Sequence, residues 1–370
     1  MSEREFNYKF YKTTSEAWDA MYQVILEAKS SIFWEIYAIG NDEIGEKFIN
    51  LLVQKAKEGL IVKIIVDHLG SFSLTTLQQN NLYKAGVDLL IYNEVFKFQF
   101  NFYKWFKRVW QRNHRKVLIV DEDRGFIGGV NVRAEEKEWG DLYLKMEGKT
   151  VRPLVRQFAR SYVKAGGKKK DVRALFHPIK YKEYPGWKKK VRFIFHAPMF
   201  NQGKSKLKNF YYDIIRSAKQ SVTLLTPYYI PDRKFLRLIA EAKKRGVEIN
   251  IILPYRPDHK FIQIASQAFY ELTHLAGANL FFLPKMHHGK AMSVDNKRGF
   301  IGSNNFTHRS FYINKEADVS FEEKDMVKDL NDILDELKSQ ATLYDRKKSM
   351  DYFLIRKLKE WWARRIKRIV

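Results

Sequence analysis

Nothing constrains the fold of this chain more than the fact that it repeats itself. Ala28-Lys-Ser-Ser-Ile32 is echoed 190 residues later by Ala218-Lys-Gln-Ser-Val222. Ala56-Lys-Glu-Gly59, which runs into the apolar stretch 62–66, is matched by Lys243-Lys-Arg-Gly246, which runs into 247–253. The glycines of Lys84-Ala-Gly-Val87 and Ala276-Gly-Ala278 stand 191 apart, and Arg124-Gly-Phe-Ile-Gly128 recurs letter for letter as Arg298-Gly-Phe-Ile-Gly302 at an offset of 174. Four matches in the same order mean two copies of one structural unit. Within each copy, helix-like stretches that stop at glycine alternate with short apolar runs, the pattern of an α/β unit. The expectation is α/β, with two similar lobes, each a mostly parallel mixed β-sheet flanked by helices, packed with pseudo-twofold symmetry.

The composition between the copies sets the boundaries. Gly166-Gly167, Lys168-Lys-Lys170, Pro178, Pro185-Gly186 and Lys188-Lys-Lys190 mark 164–192 as a basic linker. The lobes are then 1–163 and 193–345, with 346–370 as a basic amphipathic C-terminal helix. The fall in offset from 191 to 174 gives the first lobe 17 extra residues before His114. This insertion, near 95–112, holds eight aromatic residues, four Lys or Arg and no acid between Val95 and Trp110. Phe102, Trp105, Phe106 and Trp110 fall at helical spacing, which suits either a core helix or an element facing a membrane.

Each copy also carries His-x-Lys, four residues, then Asp: His114, Lys116 and Asp121 in the first, His288, Lys290 and Asp295 in the second. Seven residues after each Asp comes a glycine, opening Gly128-Gly-Val-Asn131 and Gly302-Ser-Asn-Asn305. In extended chain, residues two apart share a face, so each His and Lys converge on one spot. An ammonium can hold a phosphate oxygen while a neutral imidazole attacks phosphorus or moves a proton. One imidazole cannot do both at once; two copies brought together supply a nucleophile and an acid/base. Asn131, Asn305 and Ser303 are candidate donors to phosphate oxygens. No metal or other cofactor is expected, because Lys116 and Lys290 can carry the charge stabilisation, and His68, His177, His196, His259, His274 and His308 lack ligand spacing. His287 is expected on the opposite face in a structural role. Odd spacing also puts Asp121 and Asp295 off the catalytic face, as structural residues.

The formal charge of +25 attracts polyanions or an anionic membrane, and 15% aromatic content tilts the choice toward lipid. Apolar runs fall short of the roughly 20 residues a spanning helix needs, so the expected attachment is peripheral. Ile355, Leu358, Trp362, Ile366 and Ile369 form a stripe that Trp361 adjoins, set against Arg and Lys, as in an interfacial helix or one packed on its own lobe.

The doubled His-x-Lys-x4-Asp motif with its following glycine-Asn turn resembles the hallmark of the phospholipase D superfamily, over nearly the whole chain. Thr226-Pro-Tyr-Tyr-Ile-Pro231-Asp, Trp139-Gly-Asp141-Leu-Tyr-Leu-Lys-Met-Glu-Gly148 and Arg309-Ser-Phe-Tyr-Ile-Asn314-Lys-Glu316 make it most similar to bacterial cardiolipin synthases. The resemblance implies His114 as nucleophile and His288 as general acid/base, with Lys116, Lys290, Asn131 and Asn305 on the phosphate. It further implies Asp141 and Glu316 as supports for the histidine of the opposite lobe. The implied partners are an anionic phospholipid membrane and a phosphatidylglycerol-type substrate, at the cytoplasmic face of a bacterial membrane, with no nucleic acid. Hydrolysis by a phospholipase D and cleavage of a nucleic-acid phosphodiester are the competing chemistries.

Overall fold

The computed structural model describes residues 7–95, 105, 109–176, 190–198 and 205–345. The first lobe runs β1 (Tyr8–Thr13), α1 (Thr14–Leu26), β2 (Ser31–Ile36), α2 (Glu43–Lys57), β3 (Ile61–Asp67), α3 (Thr76–Lys84), β4 (Asp88–Tyr92), β5 (Val117–Val120), β6 (Arg124–Gly128), β7 (Gly140–Glu147) and α4 (Arg152–Lys164). The second runs β8 (Val191–His196), α5 (Lys206–Ser217), β9 (Ser221–Leu225), α6 (Arg233–Lys244), β10 (Glu248–Pro254), α7 (Lys260–Leu275), β11 (Asn279–Leu283), β12 (Ala291–Val294), β13 (Arg298–Gly302), α8 (His308–Tyr312), β14 (Glu316–Phe321), α9 (Lys324–Gln340) and β15 (Thr342–Leu343). The strand orders are β1-β7-β6-β5-β2-β3-β4 and β8-β14-β13-β12-β9-β10-β11, the second extended at its far edge by β15. The duplication in sequence is therefore a duplication in topology.

Local signals explain the elements. Asp42 caps α2 by accepting from the backbone N–H groups of Ile44 and Gly45, and Thr75 with Gln78 forms a capping box on α3. Gly59 and Gly246, the repeated helix stops, have φ of +93° and +80°, a conformation that favours glycine.

One expectation is corrected. The sheets are mixed but not mostly parallel: only β2-β3-β4 and β9-β10-β11 pair in parallel, and the other described pairs are antiparallel. Helices α2 and α3, and α6 and α7, cross between those neighbouring strands. Tight turns, Val120 to Arg124 and Val294 to Arg298, join β5 to β6 and β12 to β13, and a tight turn can only give antiparallel neighbours.

Three apolar clusters follow. One lies under the outer helices of the first lobe, around Trp34, Phe48 and Leu52, and one under those of the second, around Phe235, Ile251 and Phe306. The third is shared, with Phe33, Ile127 and Phe158 meeting Leu225, Ile301 and Leu330 in one continuous core between the lobes. The segment expected as linker is partly core: a 3-10 stretch, Lys169–Phe176, buries Val172 and Leu175 in the shared cluster. Among the described residues no helix is long and apolar enough to cross a membrane.

Candidate active site

The lobes meet backbone to backbone where the repeated motifs begin. The amide of His114 donates to Lys315 O at 3.0 Å and that of Lys315 to Arg112 O at 2.9 Å. The related bonds run from His288 N to Gly140 O at 2.6 Å and from Gly140 N to Met286 O at 3.1 Å. Each histidine thus lies on an extended lead-in just before β5 or β12, tied to the β14 or β7 lead-in of the other lobe.

This crossing delivers a carboxylate to each imidazole. His114 Nδ1 lies 3.0 Å from Glu316 Oε2, and His288 Nδ1 lies 3.0 Å from Asp141 Oδ2. A carboxylate on Nδ1 fixes the tautomer with its proton there and leaves Nε2 a lone pair. All four side chains are buried. Burial pushes the His114 imidazole down to about 4 and His288 well below its ordinary value, so both rings rest neutral. The pairs differ in detail. Glu316 also accepts from Ser303 Oγ at 2.6 Å, and its carboxyl is held below the usual range by His114 and by that hydroxyl, against its burial. Asp141 accepts only the adjoining Leu142 amide besides His288 among the described bonds, and burial raises it.

Lys116 and Lys290 are both buried, and each ammonium turns back to the carbonyl of its own histidine, Lys116 Nζ at 2.9 Å from His114 O. Desolvation and mutual repulsion lower Lys116 to about 7, and desolvation lowers Lys290 to about 8. Two buried lysines whose charges repel each other suit an anion held between them. Aromatic rings wall the site: Tyr37 meets the His114 ring edge-on at 5.0 Å, while Tyr228 and Trp139 lie 6.2 and 5.9 Å from His288.

Two of the turn residues, Ser303 and Asn131, are engaged by neighbouring carboxylates. Ser303 is not a free phosphate donor, because its hydroxyl is engaged by Glu316 and accepts from Ala317 N. Asn131 Nδ2 donates to both oxygens of Glu136, at 3.0 and 3.2 Å. Asn305 is buried, its backbone amide donating to Ser310 Oγ. The glycines make room: a Cβ on Gly128 would stand 2.3 Å from Leu142 O, and one on Gly302 would stand 1.9 Å from Asp318 Oδ1. Asp121 and Asp295 sit at the far ends of β5 and β12. Asp121 gathers the amides of Lys29, Ser30 and Ser31, and Asp295 those of Lys219, Gln220 and Ser221. His287 is buried and accepts from Gly289 N.

Of the aromatic residues expected at a membrane, Phe102, Phe106, Trp361 and Trp362 lie outside the described residues. Trp105 is half-buried, its indole N–H donating to Val95 O at 3.1 Å. Trp110 is half-buried under the guanidinium of Arg309 at 5.7 Å, which makes it part of the lobe contact.

Sequence reasoning missed two buried arginines at this contact. Arg112 pairs with Asp67 at 3.3 Å, and Arg115 reaches Glu35, Ser161 Oγ and the carbonyls of His196 and Glu316. Arg115 is the residue between His114 and Lys116, and the same parity that aims those two into the site aims it into the lobe contact. Glu136, buried beside both lysines and raised to about 7 by that burial, was also missed, and a lone Glu in a charged run gives no signal.

A family profile described as "Cardiolipin synthase, PLD-like domain" matches residues 21–160 and 211–338. The chain is 30% identical over 317 residues to a cardiolipin synthase of Clostridium perfringens strain 13, an alignment covering 84% of this chain and 65% of the relative. It is 30% identical over 338 residues to the cardiolipin synthase of Geobacillus sp. strain WCH70, covering 89% and 65%. The chain thus spans less than two thirds of the length of these curated relatives. Among solved structures, the phosphatidylserine synthase of Haemophilus influenzae Rd KW20 superposes with a TM-score of 0.72 over 98% of this chain and 95% of that one, at 13% identity, a likeness of fold. Each segment matched by the profile holds one His-x-Lys pair and the carboxylate that meets the other segment's motif histidine, and on this footing the chain belongs to the phospholipase D-like domain family of the cardiolipin synthases.

Proposed function

We propose that the protein is a phosphatidyltransferase of the cardiolipin synthase type, working on phosphatidylglycerol or a similar phospholipid at an anionic membrane surface. The observation that carries this reading is the pair of crossed histidine-carboxylate contacts closing around two buried lysines. The lipid phosphodiester docks between Lys116 and Lys290, and its negative charge raises the proton affinity of the imidazole that must act as acid. Nε2 of His114, its Nδ1 proton held by Glu316, attacks phosphorus. A nitrogen–phosphorus bond forms, the bond from phosphorus to the leaving glycerol oxygen breaks, and His288, which takes a proton from solvent onto Nε2 when the phosphodiester binds, delivers that proton to the oxygen. The acceptor lipid's hydroxyl then gives its proton to His288 and attacks phosphorus, releasing His114. The better stabilised carboxylate, Glu316 with its Ser303 bond, supports His114 as nucleophile, since it favours the positive charge that ring gains.

The test is incubation with phosphatidylglycerol vesicles followed by lipid analysis. Cardiolipin and free glycerol are expected, and both should fall to background in His114→Asn and His288→Asn. Phosphatidic acid as the only product would replace transfer with hydrolysis, and no lipid turnover would overturn both.

A further inference from the structure

Twelve large hydrophobic side chains are exposed among the described residues, and six of them fall in two short segments that the duplication relates. Leu69, Phe72 and Leu77 lie on the β3–α3 connection and the start of α3; Tyr255, Phe261 and Ile264 lie on the β10–α7 connection and the start of α7. Phe72 is 64% exposed, Leu77 70%, Tyr255 60% and Phe261 77%. Side chains of this size left in water on the corresponding connection of both lobes are a costly arrangement for a surface that meets only solvent.

Both segments are wired to the site. Asp67, at the end of β3, accepts from the amides of Leu69 and Gly70 on one side and from Asn113 N and Arg112 on the other, next to His114. Ser71 Oγ donates to the carbonyl of Tyr37, whose ring packs on His114. In the second lobe, Tyr228 lies against His288, donates its hydroxyl to Asp258 at 2.6 Å and stacks on His259. Each exposed cluster is therefore one or two bonds from a ring that touches a catalytic imidazole, and the two flank the site from opposite lobes, at the carboxyl ends of the parallel strands.

The charge pattern selects the occupant. The stretch 68–79 contains no acid and no Lys or Arg. The stretch 255–264 adds Arg256 and Lys260, and its one acid, Asp258, is held by Tyr228. Aromatic and aliphatic tips, uncharged in the first lobe and beside bases in the second, suit the headgroup layer of an anionic bilayer. We propose that these two connections form a paired membrane-docking rim, inserting on either side of the site so that a lipid phosphate reaches the histidines while its acyl chains stay in the bilayer. The proposal rests on the phosphatidyl-transfer reading and adds the surface by which the lipid is approached.

The experiment compares wild type with Phe72→Ser/Leu77→Ser and Tyr255→Ser/Phe261→Ser in three measurements: cosedimentation with vesicles of phosphatidylglycerol and phosphatidylcholine, turnover of dispersed short-chain phosphatidylglycerol, and light scattering. The rim predicts that each double variant binds vesicles about tenfold more weakly or worse. Turnover of the dispersed lipid, which a misfolded variant would lose, should persist. Unchanged vesicle binding would overturn the rim, as would weaker binding accompanied by conversion of a wild-type dimer to monomer, which would assign the patches to a second copy. Vesicle binding that follows the rim with no lipid turnover by the wild type would refute the transfer chemistry alone.

Discussion

At the scale of the residue, each histidine is defined by burial and by one carboxylate. Burial sets a pH dependence whose sign is fixed. The unfolded chain protonates a histidine near 6.5, whereas the folded His114 resists protonation down to about 4. Between those values the unfolded state takes up a proton that the folded state does not, so this contribution to stability is intact above pH 6.5 and declines as pH falls toward 4. Thermal melts from pH 7.5 to 4.5 should show the midpoint falling, and His114→Gln should flatten that profile. The carboxylates work through the rings they orient. Glu316→Gln should lower kcat by about 100-fold or more with KM little changed, because an amide can present its N–H to Nδ1 and select the wrong tautomer. Steady-state kinetics on dispersed lipid would show the split, and an unaltered kcat would remove Glu316 from the catalytic arrangement.

At the scale of the element, the repeated motif divides its labour between the two ends of one strand. The end of β5 that carries His114 and Lys116 faces the other lobe; the end that carries Asp121 closes the turn to β6 and gathers the amides before β2. Asp121→Ala should therefore cost about 2 kcal/mol of stability, as expected for lost hydrogen bonds to a charged group, while leaving kcat/KM near wild type. Denaturant melts and kinetics on one preparation separate the two effects. Strand parity made this division legible in advance, since an odd spacing cannot put Asp121 on the face of Lys116. Parity gave no hint that Ser303 and Asn131 would be engaged by Glu316 and Glu136, because those carboxylates arrive from neighbouring loops and strands.

At the scale of the whole molecule, the lobes form one structural unit. Their core is continuous, and each imidazole takes its carboxylate from across the contact. Residues 1–176 and 190–345 produced separately should each turn over no lipid, and activity in either fragment alone would contradict a site built from both. The sequence by itself determined the duplication, the α/β alternation, the two histidines and two lysines, and the placement of the motif aspartates away from those histidines. Those features depend on periodicity and local conformation, which a linear pattern records. The tertiary structure alone decided how many strands run antiparallel, that part of the apparent linker packs into the shared core, and that Arg112, Arg115 and Glu136 are buried around the site. Such facts depend on which surfaces meet once the two copies pack, and contacts between residues more than 200 positions apart leave no periodic trace along the chain.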